Sequence, residues 1–416
     1  MRFRTLACLL ASTVITAAPT ALLADTTITG EKLGAFFKIT VPTVWNGDLV
    51  IVNHGHTFDA PAASQADLGP LAPLMLAEGY AIAASSYSQC CWTLFTTQQD
   101  LNRLLGVFEA NFGPPDDVIL HGGSLGGIVT AQGIEKLGAN VVGAYPVCGA
   151  LAGGRSWDGA IDLRLVYDAV CAGVTGGTLP GGATGLPSPG YSPSGGGLSV
   201  TAIATAVNTC TGVLTPVAFR TPAQQARLNL FKSVTLIPEN FVVTDMVFGT
   251  NSLSNLIFAA DKLNGGQGVG NVGVTYNDAG VDAAIQRVAY DSQARKLLLK
   301  NYTPKGDVGA TKIVSIHTDG DGLVIVESEE DYADVVPAAN LSTAIVDEAG
   351  NTHCGFNGPE LIGGWESLRA WLAGGSQPTP TSIQAACLAS PGGSATACRF
   401  NPAYVIGEFD TRIPPR

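Results

Sequence analysis

The chain has 416 residues, 46% of them hydrophobic and 7% aromatic. That is enough apolar mass for a sizeable core and excludes a disordered chain. Lys and Arg total 22 against 34 Asp and Glu, a net charge of −12, which argues against a nucleic-acid partner and against a basic patch for anionic lipid.

The elements follow in chain order. Arg2 and Arg4 precede an apolar run from Leu6 to Ala18, and small residues lead to Ala24. This is the pattern of a bacterial secretory signal peptide, predicted to be cleaved after Ala24 and to give a secreted or periplasmic protein. Pro19 breaks the run short of the roughly 20 apolar residues that span a bilayer. No later stretch reaches that length without a charge, Gly or Pro, so no membrane span is expected in the mature chain.

Residues 47–53 (GDLVIVN) read as a buried strand, and PLAPLMLAEGY as a helix closing at Gly79. Tyr80–Ser88 is a second strand. A helix follows with Leu101, Leu104, Leu105 and Phe108 at helical spacing and Gly113 as its stop. DDVILHGGS is a third strand, LGGIVTAQGIEKLG a third helix and NVVGAYPVCGAL a fourth strand. Apolar strands alternating with amphipathic helices predict an α/β protein with a parallel sheet covered on both faces.

The alternation then breaks at a Gly/Pro/Ser-rich stretch, residues 171–199, followed by helical patterns. It resumes at ATKIVSIHTDGDG, LSTAIVDEAGNTHCGF and the helix PELIGGWESLRAWLAGG. One strand–helix–strand unit needs only about 30 residues. Residues 151–309 are therefore expected to form an inserted, largely helical cap. It divides a core of residues 25–150 and 310–375, and residues 376–416 form an extended tail.

Gly122-Gly123-Ser124-Leu125-Gly126 matches G-x-S-x-G between a strand and a helix. A sharp turn there would expose the Ser124 hydroxyl above the sheet, with Gly122 and Gly126 allowing close strand–helix packing. A serine nucleophile needs a base. Of five histidines, only His353 follows the last strand in a late loop. The base needs an acid to orient it. Asp319 and Asp321 both end a strand, and Asp321 is preferred because D-G-L-V leads into the next helical segment. The D-x-D-G run lacks the remaining ligands of a calcium loop. His54-Gly55 after LVIVN resembles a turn that supplies half of an oxyanion hole, with the backbone N–H groups of His56 and Leu125 as donors.

The signal segment carries Cys8, which leaves eight cysteines in the mature chain. An even count in an exported protein predicts disulfides. With no C-x-x-C and no His–Cys cluster, no metal is expected. The expected pairs are Cys387–Cys398 in the tail, Cys171–Cys210 in the cap and Cys148–Cys354 beside the base. Cys90 and Cys91 could bond to each other.

On N-H-G-H, H-G-G-S-L-G-G, D-G-L-V and N-T-H-C-G-F, the chain resembles the secreted bacterial α/β-hydrolases of the serine esterase, lipase and prolyl-oligopeptidase-like superfamily. The resemblance covers roughly residues 48–151 and 310–375. It implies the α/β-hydrolase fold with a mostly parallel eight-stranded sheet, a Ser–His–acid triad and an acyl-enzyme, without a cofactor. Ile325 stands where many members carry Pro. Cys354 beside the base is similar to tannase-like and feruloyl-esterase-like enzymes, but Gly123 stands where those place a cysteine before the serine. The expected activity is hydrolysis of an uncharged or polymeric acyl ester. A peptidase, amidase or acyltransferase would use the same triad. No acidic group could be placed to hold a peptide amino terminus. A non-catalytic binding module on the same scaffold is the alternative of another class.

Overall fold

The computed structural model describes residues 25–137, 141–179 and 198–416. The expected signal peptide and most of the Gly/Pro/Ser-rich stretch lie outside the described residues. No helix among the described residues is long and apolar enough to cross a membrane.

The protein is built on one eight-stranded sheet. Its strands are β1 Thr26–Lys32, β2 Ala35–Val41, β3 Leu49–Asn53, β4 Ala81–Ser85, β5 Val118–Gly123, β6 Val141–Val147, β7 Lys312–Thr318 and β8 Leu341–Val346. Their spatial order is β1-β2-β4-β3-β5-β6-β7-β8. Pairing is antiparallel for β1–β2 and β2–β4, and parallel from β4 through to β8. This is the sheet of the α/β-hydrolase fold.

The six apolar strands read from sequence are β3 to β8. The β1–β2 hairpin was not read. Its outer strand is mostly solvent-exposed, so no buried run marks it. It turns through Leu33 and Gly34, both at positive φ.

Burial on both faces explains the continuous apolar runs. All five residues of β3 and of β4 are buried. Successive side chains point to opposite faces. Leu49 and Ile51 join one core cluster, and Val50 and Val52 join the other.

The helices in chain order are α1 Ala72–Ala77, α2 Thr97–Phe112 and α3 Leu125–Lys136. Then come α4 Ser156–Val170, α5 Val200–Thr211, α6 Pro222–Thr235, α7 Val242–Val247, α8 Leu253–Phe258, α9 Ala279–Ala284 and α10 Ser292–Tyr302. Last are α11 Ser328–Ala333, α12 Gly358–Leu372, α13 Pro380–Ala389 and α14 Phe409–Arg412. In α2, Leu101, Leu104 and Phe108 face inward, as their spacing predicts, while Leu105 is only half-buried.

Between β6 and β7 the described residues hold helices and no strand. Trp157, Leu165, Val207, Phe231, Val242 and Leu256 from this segment share one buried cluster with Ile51, Leu101 and Ile128. A buried ion pair ties α10 to α4, with Arg295 Nη1 and Nη2 each donating to Asp158 at 2.8 Å. Burial pushes the Asp158 carboxyl up, against the pull of Arg295.

The C-terminal segment differs from the extended tail expected of it. Ile383 and Cys387 of α13 are fully buried, and both belong to the cluster that also contains Trp365 of α12. Phe400 bridges to Val346 at the edge of the sheet, and Phe409 is buried. Apolar residues too sparse to form a core of their own suffice to cover an existing one.

Candidate active site

Strand β5 runs into Ser124, which stands at φ +57° and ψ −125°, and α3 begins at Leu125. For a residue with a side chain this is strained backbone. The turn is held by its bonds. Ser124 N–H donates to Val147 O at 3.1 Å, and Ser124 O accepts from Gly127 N at 2.9 Å. The glycines are needed for space. A Cβ on Gly122 would stand 2.5 Å from Gly126 O and 2.6 Å from Asn53 O, and one on Gly126 would overlap Asn53 O.

The loop after β8 brings His353 to this turn. His353 Nε2 lies 2.7 Å from Ser124 Oγ, and Nδ1 lies 2.7 Å from Asp321 Oδ2. With Nδ1–H directed at the Asp321 carboxyl, Nε2 is left to accept from the serine hydroxyl. The Asp321 side chain is fully buried. Its Oδ1 also accepts from the N–H groups of Leu323 and Val324 at 3.0 and 3.1 Å, and Oδ2 from Cys354 N–H at 3.3 Å. Four donors converge on one carboxylate and fix its orientation. Asp319 points elsewhere and accepts from Glu348 N–H at 2.8 Å.

The His54-Gly55-His56 turn abuts the serine. A Cβ on Gly55 would stand 3.4 Å from Ser124 Cβ. Leu125 is the first residue of α3, where backbone N–H groups lack an intrahelical acceptor. The imidazoles of the turn are held by packing. His54 stacks on Tyr87 at 4.2 Å, and His56 meets Phe58 and Phe248 at 4.7 and 4.8 Å. Burial pushes the His56 imidazole down to about 3, with the Lys262 charge adding to the effect. Burial also lowers His54 and His121.

A disulfide lies against the site. Cys148, just past β6, bonds Cys354 with a Cα separation of 5.4 Å. A Cβ on Gly123 would stand 3.8 Å from Cys148 Sγ. The bridge thus touches the serine turn with one half and follows the histidine with the other. Cys171–Cys210 and Cys387–Cys398 are also bonded. Cys90 and Cys91 are buried but unbonded, so the pairing open to them is not made here. Asp321, His353 and Cys354 are grouped closely enough to suggest a metal site. The Cys354 sulfur is spent in the bridge, however, and His353 Nδ1 is bonded to Asp321.

A buried network behind the acid has no signature in the sequence. His317 Nδ1 lies 3.2 Å from Glu329 Oε1, and Nε2 lies 2.9 Å from Val324 O. Ser315 Oγ donates to the same Glu329 oxygen at 2.7 Å. Burial alone would lower His317, but Glu329 and Asp321 outweigh it and raise the imidazole. The network pins the Asp321–Val324 turn. No spacing in the sequence marks Glu329 as its partner.

Ser124 opens on a cavity of about 290 Å³ lined by His56, Trp92, Leu125, Trp157, Asp245, Phe248, Leu323 and Val324, among others. Thr411 to Pro414 of the C-terminal segment also reach its wall. Asp245 was not singled out in the sequence, because nothing local distinguishes it there.

No protein-family model matches the chain, and no curated protein matches it in sequence. Solved structures with an overall likeness include a tannin acyl hydrolase from Aspergillus niger, 13% identical with a TM-score of 0.48, over 87% of this chain and 86% of that one. Feruloyl esterase B from Aspergillus oryzae is 13% identical with a TM-score of 0.46, over 85% and 81%. An esterase from Aspergillus oryzae is 10% identical with a TM-score of 0.45, over 83% and 78%. At such values neither fold nor chemistry follows from the likeness. Both rest on this chain's own sheet order and side chains.

Proposed function

We propose that this protein is an exported serine hydrolase that cleaves carboxylic esters through an acyl-enzyme. The observation that carries the proposal is the unbroken run of 2.7 Å contacts from Ser124 Oγ through His353 to Asp321. Ser124 Oγ attacks the acyl carbon as its proton passes to His353 Nε2. The carbonyl electrons move to oxygen, and the N–H groups of His56 and Leu125 stabilise that oxyanion. Collapse expels the alcohol, which takes the proton from Nε2. Water then attacks the acyl-enzyme, gives a proton to the same nitrogen, and releases the acid as Ser124 recovers its hydrogen. Asp321 holds the Nδ1 tautomer and stabilises the imidazolium. The helices between β6 and β7 act as the cap, a reading supported by Trp157, Asp245 and Phe248 of this segment lining the same cavity as Ser124. Three disulfides suit an exported protein.

The test is a fluorophosphonate label together with a release assay over p-nitrophenyl esters of rising chain length, with peptide p-nitroanilides beside them. Labelling that disappears in Ser124→Ala, with ester release exceeding anilide release, is expected. Labelling that persists in Ser124→Ala overturns the nucleophile. Absence of both labelling and turnover favours a binding module, and faster anilide release favours a peptidase.

A further inference from the structure

One carboxyl in the cavity has no visible employment. Asp245 is 7% exposed and lines the same cavity as Ser124. Its Oδ1 is buried without a hydrogen-bond partner among the described residues. Leaving a buried acceptor unsatisfied is costly, so such a group calls for an explanation.

Its position on the helix gives one. Phe241, which immediately precedes α7, is followed at helical spacing by Asp245, Phe248 and Ser252 along α7 and the π-helical turn Phe248–Ser252 that continues it. At one end Phe241 packs on Gly322, where a Cβ would stand 2.7 Å from its ring. At the other, the Phe248 ring lies 4.8 Å from His56, and Ser252 Oγ lies 3.4 Å from His56 Nε2. Gly322 follows Asp321, and His56 belongs to the turn beside Ser124. The face carrying Asp245 therefore spans the site from its acid loop to its proposed oxyanion turn. π-helical turns occur often at functional sites.

We infer that Asp245 is a specificity-determining residue that hydrogen-bonds a hydroxyl group of the ester substrate. The inference rests on the serine-hydrolase reading above and adds the substrate class. Two features favour a neutral hydroxyl over an ammonium ion. Among the described residues that line the cavity, the other aspartate, Asp162, is committed to Tyr276 and Arg416, and Asp321 is committed to His353 and backbone donors. Burial, with the Asp321 charge adding to it, pushes the Asp245 carboxyl well up. A hydroxyl can donate to the unpartnered Oδ1 whether or not the carboxyl carries a charge. The same cavity is lined by Trp92, Trp157, Phe248 and Leu323, and apolar walls make desolvating a cation costly.

The experiment compares matched esters on the full mature chain. Methyl butanoate is paired with methyl 3-hydroxybutanoate, and methyl 3-phenylpropanoate with its 4-hydroxyphenyl counterpart. Ethyl butanoate is paired with 2-hydroxyethyl butanoate to place the hydroxyl on the alcohol side. The wild type is expected to favour the hydroxylated member of at least one pair by tenfold or more in kcat/KM. Asp245→Leu is expected to lose about tenfold to a hundredfold on that member, and at least tenfold less on its deoxy partner. Asp245→Asn, which still hydrogen-bonds, should keep most of the preference. Equal losses on both members, or no preference in the wild type, overturn the inference. So does a stronger preference for methyl 4-aminobutanoate. If Asp245→Leu does not fold, Asp245→Ala takes its place in the same comparison. Fluorophosphonate labelling of Ser124 in the same samples separates the two readings. Labelling without hydroxyl preference overturns only the role of Asp245, and loss of labelling overturns the serine hydrolase itself.

Discussion

His353 Nε2 and Ser124 Oγ are 2.7 Å apart although 229 positions separate them in the chain. Two features accompany the contact. The strained turn at Ser124 lifts the hydroxyl out of the sheet, and the Cys148–Cys354 bridge ties the histidine loop to the neighbouring strand.

Ser124→Ala and His353→Ala are each expected to reduce kcat to a similar residual level, because groups acting as a unit do not lose rate additively. Asp321→Asn should fall by up to about 10⁴-fold. Asp319→Asn should lose far less, since its carboxylate holds Glu348 N–H rather than the histidine. Steady-state kinetics on one ester decides all four. A double mutant much slower than either single mutant would contradict the shared role.

Mild reduction should lower activity before secondary structure. Opening Cys148–Cys354 frees the loop that carries His353, and small errors in base position are costly. Ester release and far-UV circular dichroism are followed together across a dithiothreitol series. A Cys148→Ser/Cys354→Ser variant with full kcat contradicts the positioning role.

The other two bridges should act on stability. In the chain-entropy account the loop closed by Cys387–Cys398, at a separation of 11, is worth about 3 kcal/mol, and Cys171–Cys210, at 39, about 4 kcal/mol. Urea midpoints of the paired Cys→Ser variants measure this, and kcat of the folded fraction should change little.

Acid should destabilise the fold partly through His56. The unfolded chain takes up a proton near pH 6.5 that folded His56 declines until about pH 3. Between those values stability is lost as pH falls, at about 1.4 kcal/mol per pH unit for one such group. His54 and His121 act in the same direction. His317 acts oppositely: its contribution is full below pH 6.5 and is lost as pH rises through its elevated value. Urea unfolding at pH 7 and pH 4.5 should show a shallower decline in His56→Gln than in the wild type. An unchanged decline contradicts this account.

Arg295→Met should destabilise by about 3–5 kcal/mol, because it strands the buried Asp158 carboxylate. Adding Asp158→Leu should restore much of the loss, which thermal unfolding of the three proteins will show. A double variant as unstable as Arg295→Met contradicts the stranded charge as the cause.

The sequence by itself determined the sheet strands buried on both faces, because continuous apolar runs such as LVIVN and VILH have no other stable place. It also determined the serine turn, since G-x-S-x-G between strand and helix is a local pattern with a local steric reason. Other features had no local signature. The β1–β2 hairpin is mostly solvent-exposed on its outer strand, so it lacks an apolar run. The D-G-L-V run favoured Asp321 over Asp319, but the direction in which the backbone turn aims each carboxylate is visible only in three dimensions. The pairing of Cys148 with Cys354 was one of 105 ways to join eight cysteines, and it depended on two strand ends meeting in space. Asp245 and Glu329 carry the same side chains as many surface acids. Only the tertiary structure buries them, and only burial turns an ordinary carboxyl into one that needs a partner.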